Sequence, residues 1–383
     1  MPAFKSRIES ALAERKTQGL SRSMNVVFAG NQSVLEHEGR RYINFSSNDY
    51  LGLANDQALV RAWQQGLSVY GSGSGASPMV TGFSAAHSNL EAALTEWLGY
   101  DRAILFGSGF SANQALLFTL LEKSDVLIQD RLNHASLMEA GALSPAKMKR
   151  FKHNDIEHLK SLINSEDNHL VVTEGVFSMD GDCAPLSDIA EVTRSHDAWF
   201  AVDDAHGIGV LGQSGGGSCE LATVKPEMLI VTFGKAFGMS GAAILCDHAT
   251  GDFLTQFARH HVYSTAMPPA QAYALTHAVS IVQEQSWRRE KLSELSEVYR
   301  DCLSDLEGFV ETQTSIKPFV IGESELALQV ASACRQNGIW VTAIRPPTVP
   351  KGTSRLRITL TANHTNEQVK TLSMALKQAL GAL

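Results

Sequence analysis

Three constellations in this sequence set residue types able to do chemistry at the ends of apolar runs. The first is Gly107-Ser108-Gly109-Phe110-Ser111-Ala112, which follows the run Ala103–Phe106 and leads into a helix near Asn113. Its glycines let backbone N–H groups at a helix N-terminus close on an anion. The second is Val202-Asp203-Asp204-Ala205-His206-Gly207, where an apolar strand ends in two acids and a histidine. An acid at the C-terminal end of a parallel strand can take a ribose, a metal or a ring nitrogen. In isolation it reads equally well as a helix cap. The third is the run Leu229–Gly238, which ends in Lys235 among glycines and aromatics. Desolvation lowers the pKa of such a lysine and makes its amine a nucleophile toward an aldehyde. The segment is no P-loop, because the first Gly and the final Ser/Thr of that pattern are missing.

The Gly107 loop also fits a G-x-G-x-x-A dinucleotide pattern, with Asp130 closing the next apparent strand 23 residues after Gly107. A nicotinamide-dependent oxidoreductase is therefore a rival reading, although it leaves Lys235 without a role. The three constellations together suit one cofactor, pyridoxal 5′-phosphate. Lysine forms a Schiff base with its aldehyde, the acid keeps the pyridine nitrogen protonated, and the helix terminus holds the phosphate. Asp203 and His206 would meet the ring nitrogen and the ring hydroxyl, and Thr232 would add a hydroxyl to the phosphate cup.

The elements that must position these residues alternate. Short apolar runs at Ala103–Phe106, Val126–Gln129, Leu170–Thr173, Trp199–Val202, Met228–Thr232 and Ala242–Leu245 are separated by helical stretches. Several lack period-2 alternation, as strands buried on both faces do, so the segment 48–265 predicts an α/β domain with a mostly parallel sheet. Before it, Phe4, Ile8, Ala11 and Leu12 share one face of a short helix, and Glu38-Gly39 signals a hairpin between Ser33–His37 and Arg40–Phe45. After it, Pro268-Pro269 opens a helical region reaching Leu306. The remainder predicts a small α+β domain: strands Pro318–Ile321, Ile339–Ile344 and Arg355–Leu360, and helices Ser324–Asn337 and Asn366–Leu380, the first closed by Gly338. The expected division is 1–47, 48–285 and 286–383, with its last boundary inside the long helical region.

Val202–Gly207 and Thr232-Phe233-Gly234-Lys235 resemble the α-oxoamine synthases, pyridoxal phosphate enzymes of fold type I. Two further motifs, Asn44-Phe45-Ser46-Ser47-Asn48-Asp49-Tyr50-Leu51-Gly52-Leu53 and Thr173-Glu174-Gly175-Val176-Phe177-Ser178-Met179-Asp180-Gly181-Asp182, extend the resemblance over essentially the whole chain. It implies an aspartate aminotransferase-like fold with a large domain and a small C-terminal one. It also implies roles. Lys235 is the Schiff-base lysine, Asp203 the acid at the ring nitrogen, and His206 and Ser178 the pair near the ring oxygen. Gly109, Phe110 and Thr232 contact cofactor and phosphate. His134, in Arg131–Ser136, stacks on the ring and meets substrate. Arg22, Asn48 and Thr348 complete the substrate set, with Arg345 and Arg357 as candidates for a carboxylate. The runs Gly19–Arg22 and Ala343–Pro350 resemble the branch that condenses L-alanine with a pimeloyl thioester, carried by coenzyme A or acyl carrier protein. The sibling branches use glycine with acetyl- or succinyl-CoA. The family further implies a cytoplasmic homodimer, with Tyr263, Ser264 and Thr265 reaching the partner's site.

Composition narrows the rest. The chain has 383 residues, 44% hydrophobic and 19% charged, values of a folded globular protein. Lys plus Arg is 32 against 40 Asp plus Glu, a net charge of −8 that disfavours nucleic acid and anionic membranes as partners. The first twenty residues are charged throughout and are no signal peptide. The charge-free stretch Ala62–Leu90 is too rich in Gly and Ser to span a bilayer as a helix. Cys183, Cys219, Cys246, Cys302 and Cys334 are scattered, which predicts free thiols and no zinc site. A non-catalytic protein that keeps the fold is a further alternative, but it would be expected to lose Lys235 or Asp203.

Overall fold

The computed structural model describes residues 3–30, 32–164 and 166–381. Helix α1 (Ala3–Thr17) forms where its periodicity predicts, yet Phe4, Ile8 and Leu12 on its apolar stripe stay exposed. Strands β1 (Val34–His37) and β2 (Arg40–Asn44) pair antiparallel across Glu38 and Gly39, whose φ angles are 50° and 72°. Positive φ at both turn residues matches the twist of the strands they join.

Helices α2 (Gln57–Tyr70) and α3 (Ala85–Leu98) lead into the central sheet. Its strands are β3 (Arg102–Phe106), β4 (Val126–Asp130), β5 (Lys147–Phe151), β6 (His169–Glu174), β7 (Trp199–Asp203), β8 (Met228–Thr232) and β9 (Ala242–Cys246). They lie in the order β3-β9-β8-β7-β6-β4-β5, all parallel except β9, which runs antiparallel to both neighbours. Every residue of β4, β6, β8 and β9 is buried, which is why those runs carry no alternation. β5 has no apolar run to announce it: only Phe151 of Lys-Met-Lys-Arg-Phe is buried, and the strand closes an edge of the sheet. Helix α4 (Gly109–Leu120) follows β3, and α5 (Ala135–Leu143) follows β4.

This topology overturns the dinucleotide reading. A mononucleotide unit needs β3 and β4 side by side and parallel. Here β9, β8, β7 and β6 lie between them. Asp130, the would-be ribose acid, is buried and accepts bonds from the Leu132 and Asn154 backbone N–H groups.

The long helical region breaks at Gln285, giving Pro269–Glu284 and Trp287–Leu303. The first packs so closely on α2 that a Cβ at Gly66 would stand 2.8 Å from the Ala270 carbonyl oxygen. Beyond it come β10 (Ile316–Gly322), β11 (Ile339–Trp340), β12 (Thr342–Ile344) and β13 (Ser354–Thr359). The single strand expected over 339–344 divides at buried Val341. β12 joins the antiparallel sheet β10-β13-β12, while β11 pairs parallel with β2. The N-terminal hairpin is thereby completed by a strand from the other end of the chain.

One buried arginine ties the second helix of the broken pair to the residues before α2. Arg288 donates from Nη1 to the Leu51 carbonyl at 2.7 Å and from Nη2 to Asp56 Oδ2 at 2.7 Å. Asp56 in turn caps α2 by accepting from the Ala58 and Leu59 N–H groups. Replacing Arg288 with Met leaves that carboxylate and carbonyl without their partner. The expected loss is about 3 kcal/mol, read as a lower urea midpoint at unchanged slope; an unchanged midpoint would show that the contact contributes nothing.

Candidate active site

The C-terminal ends of β6, β7 and β8, with the loop entering α4, enclose a cleft of about 290 Å³. Its wall includes Gly109, Phe110, His134, Asp203, His206, Thr232 and Lys235, seven of the residues expected to do chemistry. Asn48 also lines it. The shared location follows from the parallel strands, whose ends all open on one side of the sheet.

Asp203 is the buried anion of the cleft. Its Oδ2 accepts from Asn113 Nδ2 at 2.7 Å and its Oδ1 from the Ala205 N–H at 3.1 Å. Glu174 stands beside it in register on β6, buried, with Oε1 lacking a hydrogen-bond partner. Burial, and then the neighbouring charge of Asp203, hold the Glu174 carboxyl well above the usual carboxylate range. Asp204 points to the opposite face, as alternation requires. There it accepts from the Ser218 N–H at 2.8 Å and Ser218 Oγ at 2.6 Å. Gly175, Gly207 and Gly217 crowd it; a Cβ at Gly217 would stand 1.9 Å from Asp204 Oδ2, and φ there is +91°.

Lys235 reaches back to Thr232, its Nζ lying 3.4 Å from Oγ1. Burial pulls its pKa down, while Asp203 and Glu174 pull the other way. His206 Nδ1 lies 2.7 Å from the Tyr50 hydroxyl, and burial keeps that imidazole neutral far below its ordinary range. His134 caps α5: its Nδ1 accepts from the Ser136 N–H at 3.3 Å and meets Ser136 Oγ at 2.8 Å.

The carboxylate candidates separate. Arg357 Nε donates to the Ser178 carbonyl at 2.6 Å and Nη1 to Asn48 Oδ1 at 3.0 Å, beside the cleft. Ser178 is thus engaged through its carbonyl and is not itself in the cleft wall. Arg355, two residues earlier on β13, grips Asp180 of the same turn. From the other side, His153 bridges Asp130 and Asp182; burial opposes its charge, but the two carboxylates raise its pKa to about 9. Arg345, Thr348 and Arg22 are not brought to the cleft wall. Arg345 instead donates from Nη1 to the Gly19 carbonyl at 2.7 Å, and Thr348 and Arg22 are exposed. Tyr263, Ser264 and Thr265 are exposed as well.

Tyr50, Asn113, Ser136 and Glu174 are site residues that local sequence does not single out. Tyr50, Ser136 and Glu174 lie inside the motifs quoted above, and Asn113 lies in the first turns of α4 after the Gly107 loop.

The residues fit pyridoxal phosphate on three structural observations. The first turn of α4, at Gly109 and Phe110, presents backbone N–H groups to an anion. A Cβ at Gly109 would stand 2.7 Å from the Thr232 methyl, so only glycine keeps that cradle open. Asn113 Oδ1 and Glu174 Oε1 are buried at the cleft without partners, and Asp203 is a fixed anion for a protonated ring.

The aminotransferase class I and II family matches residues 40–376. A relative from Vibrio campbellii, an 8-amino-7-oxononanoate synthase, is 92% identical over 383 residues, all of both chains. One from Vibrio parahaemolyticus with the same name is 90% identical, again over the full length of both. A serine palmitoyltransferase from S. paucimobilis, solved with a bound PLP–myriocin aldimine, superposes with a TM-score of 0.93 at 28% identity, covering 98% of each chain.

The buried Asp204 carboxyl makes stability depend on pH. Desolvation raises its pKa to about 7, against the pull of its Ser218 bonds. An unfolded aspartate titrates near pH ~4. The native state therefore holds a proton the unfolded chain has lost between those values, and stability falls as pH rises through that window. Asp204→Asn has no such proton. Its stability relative to the parent should improve from pH 5 to pH 7 by about 1.4 kcal/mol per unit. Urea unfolding of both proteins at the two pH values measures this, and a constant difference would refute it.

Proposed function

Because this chain belongs to the aminotransferase class I and II family and, within it, to the 8-amino-7-oxononanoate synthases, we propose that Lys235, Asp203 and His134 carry a decarboxylative condensation of L-alanine with a pimeloyl thioester. The enzyme is a pyridoxal-phosphate-dependent acyltransferase of biotin synthesis. Its products are 8-amino-7-oxononanoate, carbon dioxide and the free carrier, coenzyme A or acyl carrier protein. The observation that carries the residue assignment is the meeting of Lys235, Asp203 and the α4 N-terminus in one cleft.

Pyridoxal phosphate, when bound, supplies an aldehyde for the amine and a protonated ring that draws electrons from the alanine α-carbon. Gly109, Phe110 and Thr232 would hold its phosphate at the helix terminus. Asp203, fixed by Asn113 and Ala205, would keep the ring nitrogen protonated. His206 and the Ser178 turn would serve the ring oxygen. Lys235, whose pKa burial lowers, accepts the α-proton at Nζ. Arg357 and Asn48 receive the alanine carboxylate. Loss of carbon dioxide after carbon–carbon bond formation makes the condensation effectively irreversible.

The acyl donor is assigned to residues outside the cleft wall. The runs Gly19–Arg22 and Arg345–Pro350 are far apart in sequence but joined by the Arg345–Gly19 bond. That junction supports Arg22, Arg345 and Thr348 as donor-side residues. The same reading takes the protein as a cytoplasmic homodimer with Tyr263, Ser264 and Thr265 at the partner's site. It divides the chain into 1–47, 48–285 and 286–383, the break at Gln285 supporting the last boundary.

Asp203→Asn should slow exchange of the alanine α-proton with solvent by about 100-fold or more, while Asp204→Asn, on the other face of β7, stays within a few-fold of the parent. Proton exchange followed by NMR separates them, and equal losses would reverse the two roles. Alanine with pimeloyl-CoA should give a higher kcat/KM than glycine with acetyl- or succinyl-CoA, and Arg22→Ala should raise KM for the donor alone. Product identification by mass spectrometry with each pair tests the function. Preference for glycine and succinyl-CoA would move the protein to another branch of the family.

A further inference from the structure

We propose that Asn113 and Ser136 are positioning residues that fix the imidazole proton of His134 on Nε2, so that His134 meets substrate as a hydrogen-bond donor and not as a base. Four hydrogen bonds carry this, and they allow one arrangement of protons.

The arrangement starts at Asp203, which can only accept. Asn113 Nδ2 lies 2.7 Å from Asp203 Oδ2 and 2.9 Å from Ser136 Oγ. The reversed amide would set Asn113 Oδ1 against the carboxylate, acceptor against acceptor. Both amide hydrogens are therefore committed, one to each partner. Asn113 Oδ1 accordingly lies buried without a partner, a cost that the carboxylate imposes. Ser136 Oγ, having accepted from Asn113, has its single hydrogen left for His134 Nδ1 at 2.8 Å. The Ser136 backbone N–H also points at Nδ1, at 3.3 Å. A backbone N–H cannot accept, so both Ser136 donors favour a bare Nδ1, and a neutral imidazole with bare Nδ1 carries its proton on Nε2.

The charged form is disfavoured by the same geometry. An imidazolium would set an Nδ1–H against two donors and a positive charge at the N-terminus of α5. Burial and Lys235 also work against the charge, and Asp203 alone favours it. Asn113 and Ser136 are almost fully buried, so water does not compete for these bonds. The backbone N–H of His134 meets Glu174, which leaves the ring as this residue's contribution to the cleft. A neutral Nε2–H donor suits a carboxylate or a developing oxyanion. It cannot take a proton from carbon, and that task falls to Lys235.

The substrate role rests on the function proposed above; the tautomer does not. The test uses the full-length protein without substrate, labelled with ¹⁵N in its histidine rings, and His134 is assigned by the signals lost in His134→Gln. The nitrogen shifts should show a hydrogen-free Nδ1 and a protonated Nε2 between pH 6 and pH 8. Ser136→Ala should raise the Nδ1–H fraction about tenfold, the equilibrium weight of one hydrogen bond, and Ser136→Thr should restore the parent pattern. Asn113→Ala should act like Ser136→Ala, because it frees the serine hydroxyl to turn. Thermal unfolding checks that the variants remain folded. A proton on Nδ1 in the parent overturns the proposal, as does a folded Ser136→Ala with parent shifts. A parent with the expected tautomer that fails to condense alanine with pimeloyl-CoA would overturn the function and leave the relay standing.

Discussion

A carboxylate at the end of a buried strand loses its water and must recover its hydrogen bonds from the protein. Asp203 does so with the Asn113 amide and the Ala205 N–H, and much of the site follows from that choice. Asn113 has to present its nitrogen, which orients Ser136 and, through it, His134. Glu174 shares the strand-end row with Asp203, and a second ionised carboxyl there would face both desolvation and repulsion. Its affinity for a proton is raised accordingly. Burial lowers the Lys235 pKa, and Asp203 and Glu174 both oppose that shift.

The same row explains the two faces of Asp203-Asp204. Adjacent residues of a strand point to opposite sides, so the second acid is carried into the interior. There it anchors Ser218 and fills a pocket that three glycines leave vacant. Its cost is raised affinity for a proton. The pair is therefore one acid in the cleft wall and one buried against Ser218, separated by the geometry of the strand.

Much of this was legible in the sequence because the decisive residues mark abrupt changes of type. Asp203 and Lys235 each end an apolar run, and the Gly107 loop separates a strand from a helix. What the sequence could not reveal depends on distances across the fold. Asn113 and Asp203 are 90 residues apart, and Tyr50 and His206 are 156 apart. Arg345 and Arg357 looked equivalent as carboxylate ligands, yet only Arg357 lies on the strand that faces the Ser178 turn. Local patterning failed where packing overrode it: β5 is a polar edge, and the run 339–344 serves two sheets. The apolar stripe of α1 was legible as a helix, but its exposure was not.

Arg357 and Arg355 show how the C-terminal residues take part in a site built mainly at the central sheet. Two residues apart on β13, they share a side of the strand and reach the same turn, one through the Ser178 carbonyl and the other through Asp180. Asp182, two residues after Asp180, is held by His153, whose imidazole spans Asp130 and Asp182. Arg357 also holds Asn48 Oδ1, which brings a residue preceding the large sheet to the same point. A guanidinium has five N–H donors in one plane, so these bonds fix its orientation without exhausting it. A carboxylate bound there would meet an arginine already ordered, and the side-chain entropy of that ordering would not be lost on binding. The small sheet thus contributes a prearranged cation beside the cleft, while the acid, the lysine and the α4 N-terminus belong to the large one.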